Sequence, residues 1–311
     1  MTIQFRRFLS ASLLLSVAAL VSVSSAADAP DATHRGRSSV YGNLSNGSLE
    51  AVSTPDAMLK LIKAPDGAAP TAIWTMLEHG ERVECMACIP YVSKMLYNSN
   101  PKTREISAWW LRRRIFGVFG KGEAYEQTVN AVGDMSKSEL TRAYAANALG
   151  EFLEGAGIEP VAGALLKDSS AKVRLAAANA LIRLNNQGPS SELSSALSDK
   201  DEEVRLAALN GVTHINVFSN VDRVVAMISD SSAVVRRRAA QTLGTLKSAD
   251  AVVGLIALTS PNNELDPGVR AAAVWALGQI ADGQASEAVM LAVDDSDSGV
   301  RDAARIALLR L

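Results

Sequence analysis

The most regular feature of the sequence is a set of apolar and small positions that recur around an arginine. In every copy a small residue follows the arginine by three positions and an aliphatic residue follows it by seven, which places both on one face of a helix. The arginines are Arg104, Arg142, Arg174, Arg205, Arg236, Arg270 and Arg301, spaced 38, 32, 31, 31, 34 and 31 residues apart. The pattern predicts seven copies of one helical unit.

Each copy also contains an earlier apolar segment, for example at 161–166 and 221–228, so each unit is predicted to be a pair of helices. One short pair cannot bury apolar surface on both of its sides, and neighbouring pairs must therefore stack. The small residues at the third position, such as Ala177 and Ala208, let neighbouring helices approach closely. We predict an all-α fold, a right-handed α-solenoid of about seven helix pairs over residues 90–311.

An acidic residue precedes most of these arginines by six positions, in the turn between the two helices. It is aspartate in four copies, at Asp168, Asp199, Asp230 and Asp295, while Glu264, Asn98 and Ser136 occupy the position in the others. Such an acceptor can cap the second helix or bond a neighbouring backbone N–H. The arginine can pair with it or with the acid of the adjacent copy. We interpret the arginines and acids as a structural ladder that fixes the register of the repeats.

At these positions the chain resembles HEAT repeats, in particular the short class named after phycobiliprotein lyases. The resemblance implies stacked helix pairs whose second helices line a concave side. It does not imply one activity, because the same scaffold serves lyases, hydroxylases and adaptors. Deoxyhypusine hydroxylases hold iron with His-Glu pairs, and this sequence contains no His-Glu dipeptide. A lyase-type or hydroxylase-type enzyme therefore stays a second alternative that only the scaffold supports.

A column of amide and aromatic residues follows the arginines by five positions, on the side opposite the buried stripe. Its members are Trp109, Asn147, Asn179, Asn210, Gln241, Trp275 and Ile306. Amides offer both a donor and an acceptor, so a spaced row suits the backbone of an extended peptide. The row is similar to the asparagine row of armadillo-type importins, which implies peptide binding on the concave side. The alternative is that these amides bond locally within their own helices.

The segment 104–119 is the densest aromatic and basic part of the chain. Helical spacing is expected to turn Trp110 and Leu111 inward and to leave Trp109 and Arg112 outside. Tryptophan and arginine together are typical of binding hot spots, so Trp109 and Arg112 join the candidate partner-binding residues. The alternative is that large residues fill an irregular junction at the start of the solenoid.

The two cysteines form a Cys-x-x-Cys motif, Cys85 and Cys88, followed by Ile89-Pro90. In an oxidising compartment two nearby thiols form a disulfide, and we favour a structural one. Thiol-redox activity, or a metal or covalent cofactor, is the alternative. No βαβ pattern surrounds the motif, and His34, His79 and His214 are the only histidines available as further ligands. We therefore predict no metal and no cofactor.

The N-terminus has the order of a secretory signal peptide. Arg6 and Arg7 precede an apolar stretch at 8–23 and the small residues that end at Ala26, where cleavage is expected. A retained membrane anchor is the alternative. The prediction places the protein in the periplasm or outside the cell.

Three further parts are expected before and after the repeats. Residues 27–52 are rich in Ser, Gly, Asn and Asp and are predicted to be a disordered leader, and 53–89 an irregular helical cap that carries the cysteines. At the other end, Leu308, Leu309 and Leu311 follow no polar capping repeat. Self-association of the protein through the C-terminal helix is therefore kept as an alternative.

Charge and motif content narrow the function. Removal of 1–26 takes away two arginines and no acid, so the 31 basic and 33 acidic residues become 29 and 33, a net charge of −4. Such a chain has no general attraction for nucleic acid or anionic lipid. No phosphate loop, Ser-His-Asp arrangement or nucleophile elbow is present. The sequence therefore predicts a binding scaffold or adaptor for a protein or peptide, not an enzyme.

Overall fold

The structure is a computed structural model, and it describes residues 54–63, 69–115, 122–184, 190–214 and 218–311. The predicted signal peptide at 1–26 and leader at 27–52 lie outside these residues. Within the described ranges, no helix is both long and apolar enough to cross a lipid bilayer.

The described residues form sixteen α-helices and no β-strand. Two helices come first, α1 (Pro55–Ile62) and α2 (Pro70–His79). Seven pairs follow, each a first helix and a second helix: α3 (Ile89–Met95) and α4 (Pro101–Ile115), α5 (Glu123–Gly133) and α6 (Glu139–Phe152), α7 (Ile158–Lys167) and α8 (Ala171–Leu184), α9 (Ser190–Ala196) and α10 (Glu202–Val212), α11 (Val221–Ala226) and α12 (Ala233–Leu246), α13 (Val252–Thr259) and α14 (Pro267–Ile280), and α15 (Ser286–Leu291) and α16 (Ser298–Leu308). The predicted all-α solenoid is confirmed.

Neighbouring second helices pack directly on one another, from α4 through to α16. The small residue three positions after each arginine is 0% exposed in all seven pairs: Ser107, Ala145, Ala177, Ala208, Ala239, Ala273 and Ala304. The aliphatic residue seven positions after it is also buried, apart from the half-buried Leu308 of α16. A small side chain at every layer lets the helices approach closely enough to exclude water from one continuous apolar interior.

Glycines bring three pairs of second helices closest together. They stand eight positions after the arginine and face an alanine of the next second helix: Gly150 faces Ala180, Gly244 faces Ala276, and Gly278 faces Ala307. A Cβ atom added to these glycines would lie 2.8, 2.7 and 2.8 Å from the alanine Cα atoms. Between α8 and α10 the small and the large residue change places. Ile182 of α8 occupies the position that glycine has in α6, α12 and α14, and it packs against Gly211 of α10. Larger residues at these glycines would push the layers apart.

The arginines and acids form a ladder in which each arginine binds the acid of the following pair. Its five rungs are Arg142–Asp168, Arg174–Asp199, Arg205–Asp230, Arg236–Glu264 and Arg270–Asp295. In every rung the arginine Nε and Nη2 donate to the two carboxylate oxygens over 2.6 to 2.9 Å. Such forked pairs are geometrically specific, so the ladder connects each repeat to the next.

Backbone groups complete each rung. The arginine Nη1 donates to one or two carbonyls of its own preceding turn, as Arg174 does to Asp168 and Ser169. The acid accepts the amide N–H two residues later, as Asp168 does from Ser170. The acid therefore does not cap the second helix. The residue four positions before the arginine does so: Ser138, Asp201, Ser232, Asp266 and Asp297.

Burial and hydrogen bonding act on the rung acids in opposite directions. Burial raises the pKa of Asp168 and Asp199, but the hydrogen bonds from arginine and from a backbone amide outweigh it, so each pKa ends below its ordinary value. At Glu264 and Asp295 the hydrogen bond from arginine is the largest effect, and it also lowers the pKa. These carboxylates are therefore charged at neutral pH and stabilise the folded state in that form.

The start of the solenoid is held by a buried arginine that sequence patterns did not single out. Arg114 of α4 is 2% exposed. Its Nη2 donates to the carbonyls of Gly80, Glu81 and Val83, and its guanidinium stacks on Trp110 at 3.5 Å. Burial lowers the pKa of Arg114 to about 10. The side chain thus fastens the turn after α2 to the first repeat.

Candidate functional site

The column five positions after each arginine lies on successive second helices, at one register position. We call this surface the amide face and define it by Asn147, Asn179, Asn210, Gln241 and Trp275. Asn179 and Asn210 are exposed, Asn147 and Gln241 are half-buried, and Trp275 is 36% exposed. Because neighbouring second helices pack side by side, residues at one register form a row.

The side-chain amides of this face have no partner among the residues that the structure describes. Within the described part of the chain, the side chains of Asn147, Asn179, Asn210 and Gln241 form no hydrogen bond. The local role that the sequence left open, a bond within the same helix, is therefore not what these amides do here. Each amide therefore keeps a donor and an acceptor that no described residue uses.

Two of the amides line the same cavity. It measures about 240 Å³ and lies where α4, α6 and α8 meet. Its polar lining consists of Arg104, Glu105, Tyr144, Asn147, Glu151, Asn179 and Arg183. Asn210, Gln241 and Trp275 continue the amide face beyond this cavity. The structure thus brings Asn147 and Asn179 together with charged groups, and leaves the later amides on an open surface.

One ion pair joins two residues of the cavity lining. Arg183 Nη2 of α8 lies 2.5 Å from Glu151 Oε2 of α6. Burial raises the pKa of the Glu151 carboxyl, the charges of Arg183 and Arg112 lower it, and the charge of Glu105 raises it. The net shift of the Glu151 pKa is upward. Three charged side chains, Arg183, Glu105 and Arg112, therefore act on Glu151.

Trp109 and Arg112 lie on α4, the helix that also contributes Arg104 and Glu105 to the cavity. Trp109 is half-buried and packs against the core, so it is less exposed than its helical spacing suggested. Arg112 is half-buried, and both residues line a second depression of about 230 Å³ with Glu81 and Arg113. Trp110 is fully buried, and its indole Nε1 donates to the Gly80 carbonyl. The large residues of α4 therefore fill the junction with α2, and Trp109 and Arg112 also edge a surface that a partner can reach.

Some residues of the cavity were not singled out in the sequence. Tyr144, Glu151 and Arg183 line the cavity, and a signal for two of them was present. Glu151 and Arg183 stand nine positions after consecutive arginines, so opposite charges occupy one register on neighbouring helices. Tyr144 has no such signal, because its ring gains its role only by stacking against Arg104.

Cys85 and Cys88 lie away from the amide face, between α2 and α3. Their sulfurs are joined in the structure, with 5.3 Å between the Cα atoms. Cys85 is 2% exposed and Cys88 is 0% exposed. Exchange of a disulfide needs access for an attacking thiolate, and burial of both sulfurs disfavours it.

Among the described residues, no group of three or more His, Cys, Asp and Glu side chains is arranged to hold a metal ion. His214 is exposed, and its ring Nδ1 lies 2.6 Å from the carbonyl of Asn210. This histidine is part of the surface at the end of α10 and does not meet the cysteines.

Comparison with known proteins identifies the repeat. Residues 126–213, 190–265 and 221–309 match the family model for HEAT repeats. No curated protein sequence matches the chain.

Two solved structures, YibA and importin beta, are similar in fold to this chain, and a third aligns with a lower score. YibA of Escherichia coli is similar with a TM-score of 0.55 and 18% identity, over 89% of this chain and 99% of that one. Importin beta is similar with a TM-score of 0.53 and 15% identity, over 82% of this chain and 40% of that one. The complex of CpcE and CpcF of phycocyanin lyase from a Nostoc species aligns with a TM-score of 0.39 and 18% identity, over 72% and 94% of the two chains. At these identities the likeness concerns the fold.

The predicted resemblance is thereby confirmed at the level of the repeat. The family match spans residues 126–309, more than half of the chain, and the seven stacked helix pairs agree with it. The chain belongs to the family of HEAT-repeat proteins.

Proposed function

We propose that this chain is an exported scaffold that binds a protein or an extended peptide along the amide face. In this proposal the amide face is the concave side of the solenoid, and the protein acts by binding a partner, not by catalysing a reaction. The observation that carries it is the row of side-chain amides that form no hydrogen bond within the described residues. An extended backbone presents its own N–H and C=O groups at regular intervals and can satisfy such a row.

The ends of the face support the same proposal. Trp109 and Arg112 stand before the first amide, and Trp275 stands after the last. Flat aromatic groups at a groove provide apolar contact area with little loss of side-chain entropy. A segment lying along α4 to α14 would then meet tryptophan, amides and tryptophan in turn.

A comparison of captured partners tests the binding face. The mature chain and a variant with Asn147, Asn179 and Asn210 all changed to Ala are used as bait in the native envelope fraction. A matched control replaces two exposed amides outside the face, Asn262 and Gln284, with Ala. We expect a partner that the wild type and the control retain and the triple variant loses. Equal recovery by all three proteins would remove the amide face from the proposal.

Export is tested separately. Mass spectrometry of protein from the periplasm or medium should give a mature N-terminus at Ala27, as expected for cleavage after Ala26. Recovery of only the full-length chain from the cytoplasm would contradict export and leave the binding proposal standing.

A further inference from the structure

The first arginine of the series lacks its rung. Arg104 Nη1 donates to the carbonyls of Asn98 and Ser99 over 2.7 and 2.9 Å, as the arginines of the complete rungs do in their own turns. In the described part of the chain, however, its Nε and Nη2 meet no carboxylate. Its guanidinium instead lies over the Tyr144 ring, 3.9 Å from the centroid.

A longer turn in the next repeat explains this difference. Ser136 stands six positions before Arg142, where the complete rungs have an acid. The acid of this turn is Asp134, two positions earlier, and its Oδ1 is occupied by the amide and the hydroxyl of Ser136 at 2.9 and 2.6 Å. The turn 134–138 is two residues longer than the turn 168–170 of the following repeat and supplies part of the 38-residue spacing between Arg104 and Arg142.

The freed guanidinium lines the cavity on the amide face. Of the two acids in the lining, Glu105 pairs with Lys102 at 2.9 Å and Glu151 pairs with Arg183. Arg104 is therefore the lining charge without an opposite charge beside it. Contact with Tyr144 holds the plane of the guanidinium, so the fork is oriented before any ligand binds.

We infer that this cavity binds the carboxylate of an aspartate or glutamate within an extended peptide. This inference rests on the proposed function and gives the chemical class of the partner at one point of the face. The Nε and Nη2 edge of Arg104 would take the carboxylate as the other arginines do, through two parallel N–H···O bonds. Asn147 and Asn179, which line the same cavity, would bond the peptide backbone beside the acidic residue.

The protein itself argues for a carboxylate. Five arginines whose Nη1 also donates to one or two carbonyls of the preceding turn bind a carboxylate in fork geometry. The charges of the lining also favour an acid, because Glu105 pairs with Lys102 and Glu151 with Arg183, which leaves the positive charge of Arg104 unbalanced. A basic or neutral residue at this point would leave the fork of Arg104 without an acceptor.

Nine-residue amidated peptide libraries with one fixed interior position test the inference by fluorescence anisotropy. Libraries with Asp or Glu fixed should bind the wild type about tenfold more tightly than those with Asn or Gln fixed. The preference should disappear in Arg104→Gln and weaken in Arg104→Lys, which keeps the charge but loses the fork. Arg301→Gln is the matched control, since Arg301 makes the same backbone contacts outside the cavity, and it should keep the preference.

The outcomes separate this inference from the proposed function. Binding that is equal for acid and amide libraries, or a preference that survives Arg104→Gln, overturns the carboxylate site while leaving peptide binding intact. The inference is also overturned if a library with Asn fixed binds as tightly as the acidic libraries once its peptides carry a free C-terminal carboxylate. If no library binds the wild type, or if the triple asparagine variant binds as the wild type does, the proposed function fails as well. Thermal melts of Arg104→Gln and Arg104→Lys confirm that both variants are folded.

Discussion

Replacing Asp168 with Ala removes the acid of one rung and leaves the Arg142 guanidinium without its carboxylate. The two side chains are only 3% and 6% exposed, and their closest N···O distance is 2.7 Å. Two unit charges whose centres lie about 4 Å apart, as in such a forked pair, attract by about 4 kcal/mol when the effective dielectric constant is about 20. Loss of one partner of a buried pair costs about 3–5 kcal/mol. Because Arg142 keeps its bond to the Lys137 carbonyl, we expect about 3 kcal/mol.

Urea unfolding at neutral pH, followed by far-UV circular dichroism, measures this cost. The matched control is Glu105→Ala, which breaks an ion pair whose side chains are 68% and 45% exposed and should cost less than about 0.5 kcal/mol. Replacing both rung residues, Arg142→Met with Asp168→Leu, should cost less than Asp168→Ala alone, because no unpaired charge stays buried. An Asp168→Ala variant as stable as the Glu105→Ala control would refute the reasoning.

Three further measurements follow from the same structure. Gly278→Val should destabilise the fold by about 1–3 kcal/mol through overpacking between layers. Gly163→Ala, at a helix position where an added Cβ meets open space, should instead stabilise it by about 0.5–1 kcal/mol. Thermal melts of the two variants and the wild type measure both effects. Because rung acids such as Asp295 have a lowered pKa in the folded state, their stabilisation is full above the ordinary carboxylate pKa of about 4 and is lost as pH falls through the lowered value; urea midpoints that stay constant below pH 4 would contradict this. Reducing the Cys85–Cys88 disulfide should cost about 2 kcal/mol or less because the closed loop is short, and equal melting curves with and without reductant would show no contribution.

Repetition made the architecture predictable. One small and one aliphatic position per copy, at helical spacing, was enough to indicate stacked helix pairs, and Ala177 and Leu181 are indeed buried where the pattern placed them. Partner choice in the ladder was not predictable, because an arginine can reach an acid in its own turn or in the next repeat. The arginine binds the acid of the next repeat because neighbouring layers pack closely enough for its side chain to reach that acid.

The candidate site was predictable in part. The register of Asn147 and Asn179 follows from the repeat, but their common cavity depends on Tyr144 and Arg183, whose roles arise from contacts between helices. The changed role of Arg104 has a sequence trace, the longest spacing in the series. That trace became interpretable once Ser136 was seen to occupy the position of the missing acid.

The direction of the ladder determines how unfolding can spread along the molecule. Each arginine of the five rungs depends on an acid in the repeat after it. When one repeat unfolds, the arginine of the preceding repeat is therefore left buried without its carboxylate. This penalty couples neighbours and makes the segment from α5 to α16 favour melting as one block. At Arg104 the chain of dependence is interrupted, since only a ring contact takes the place of the carboxylate. Opening of the helices before α5 therefore disrupts the packing of α4 on α6 but breaks no rung of the ladder.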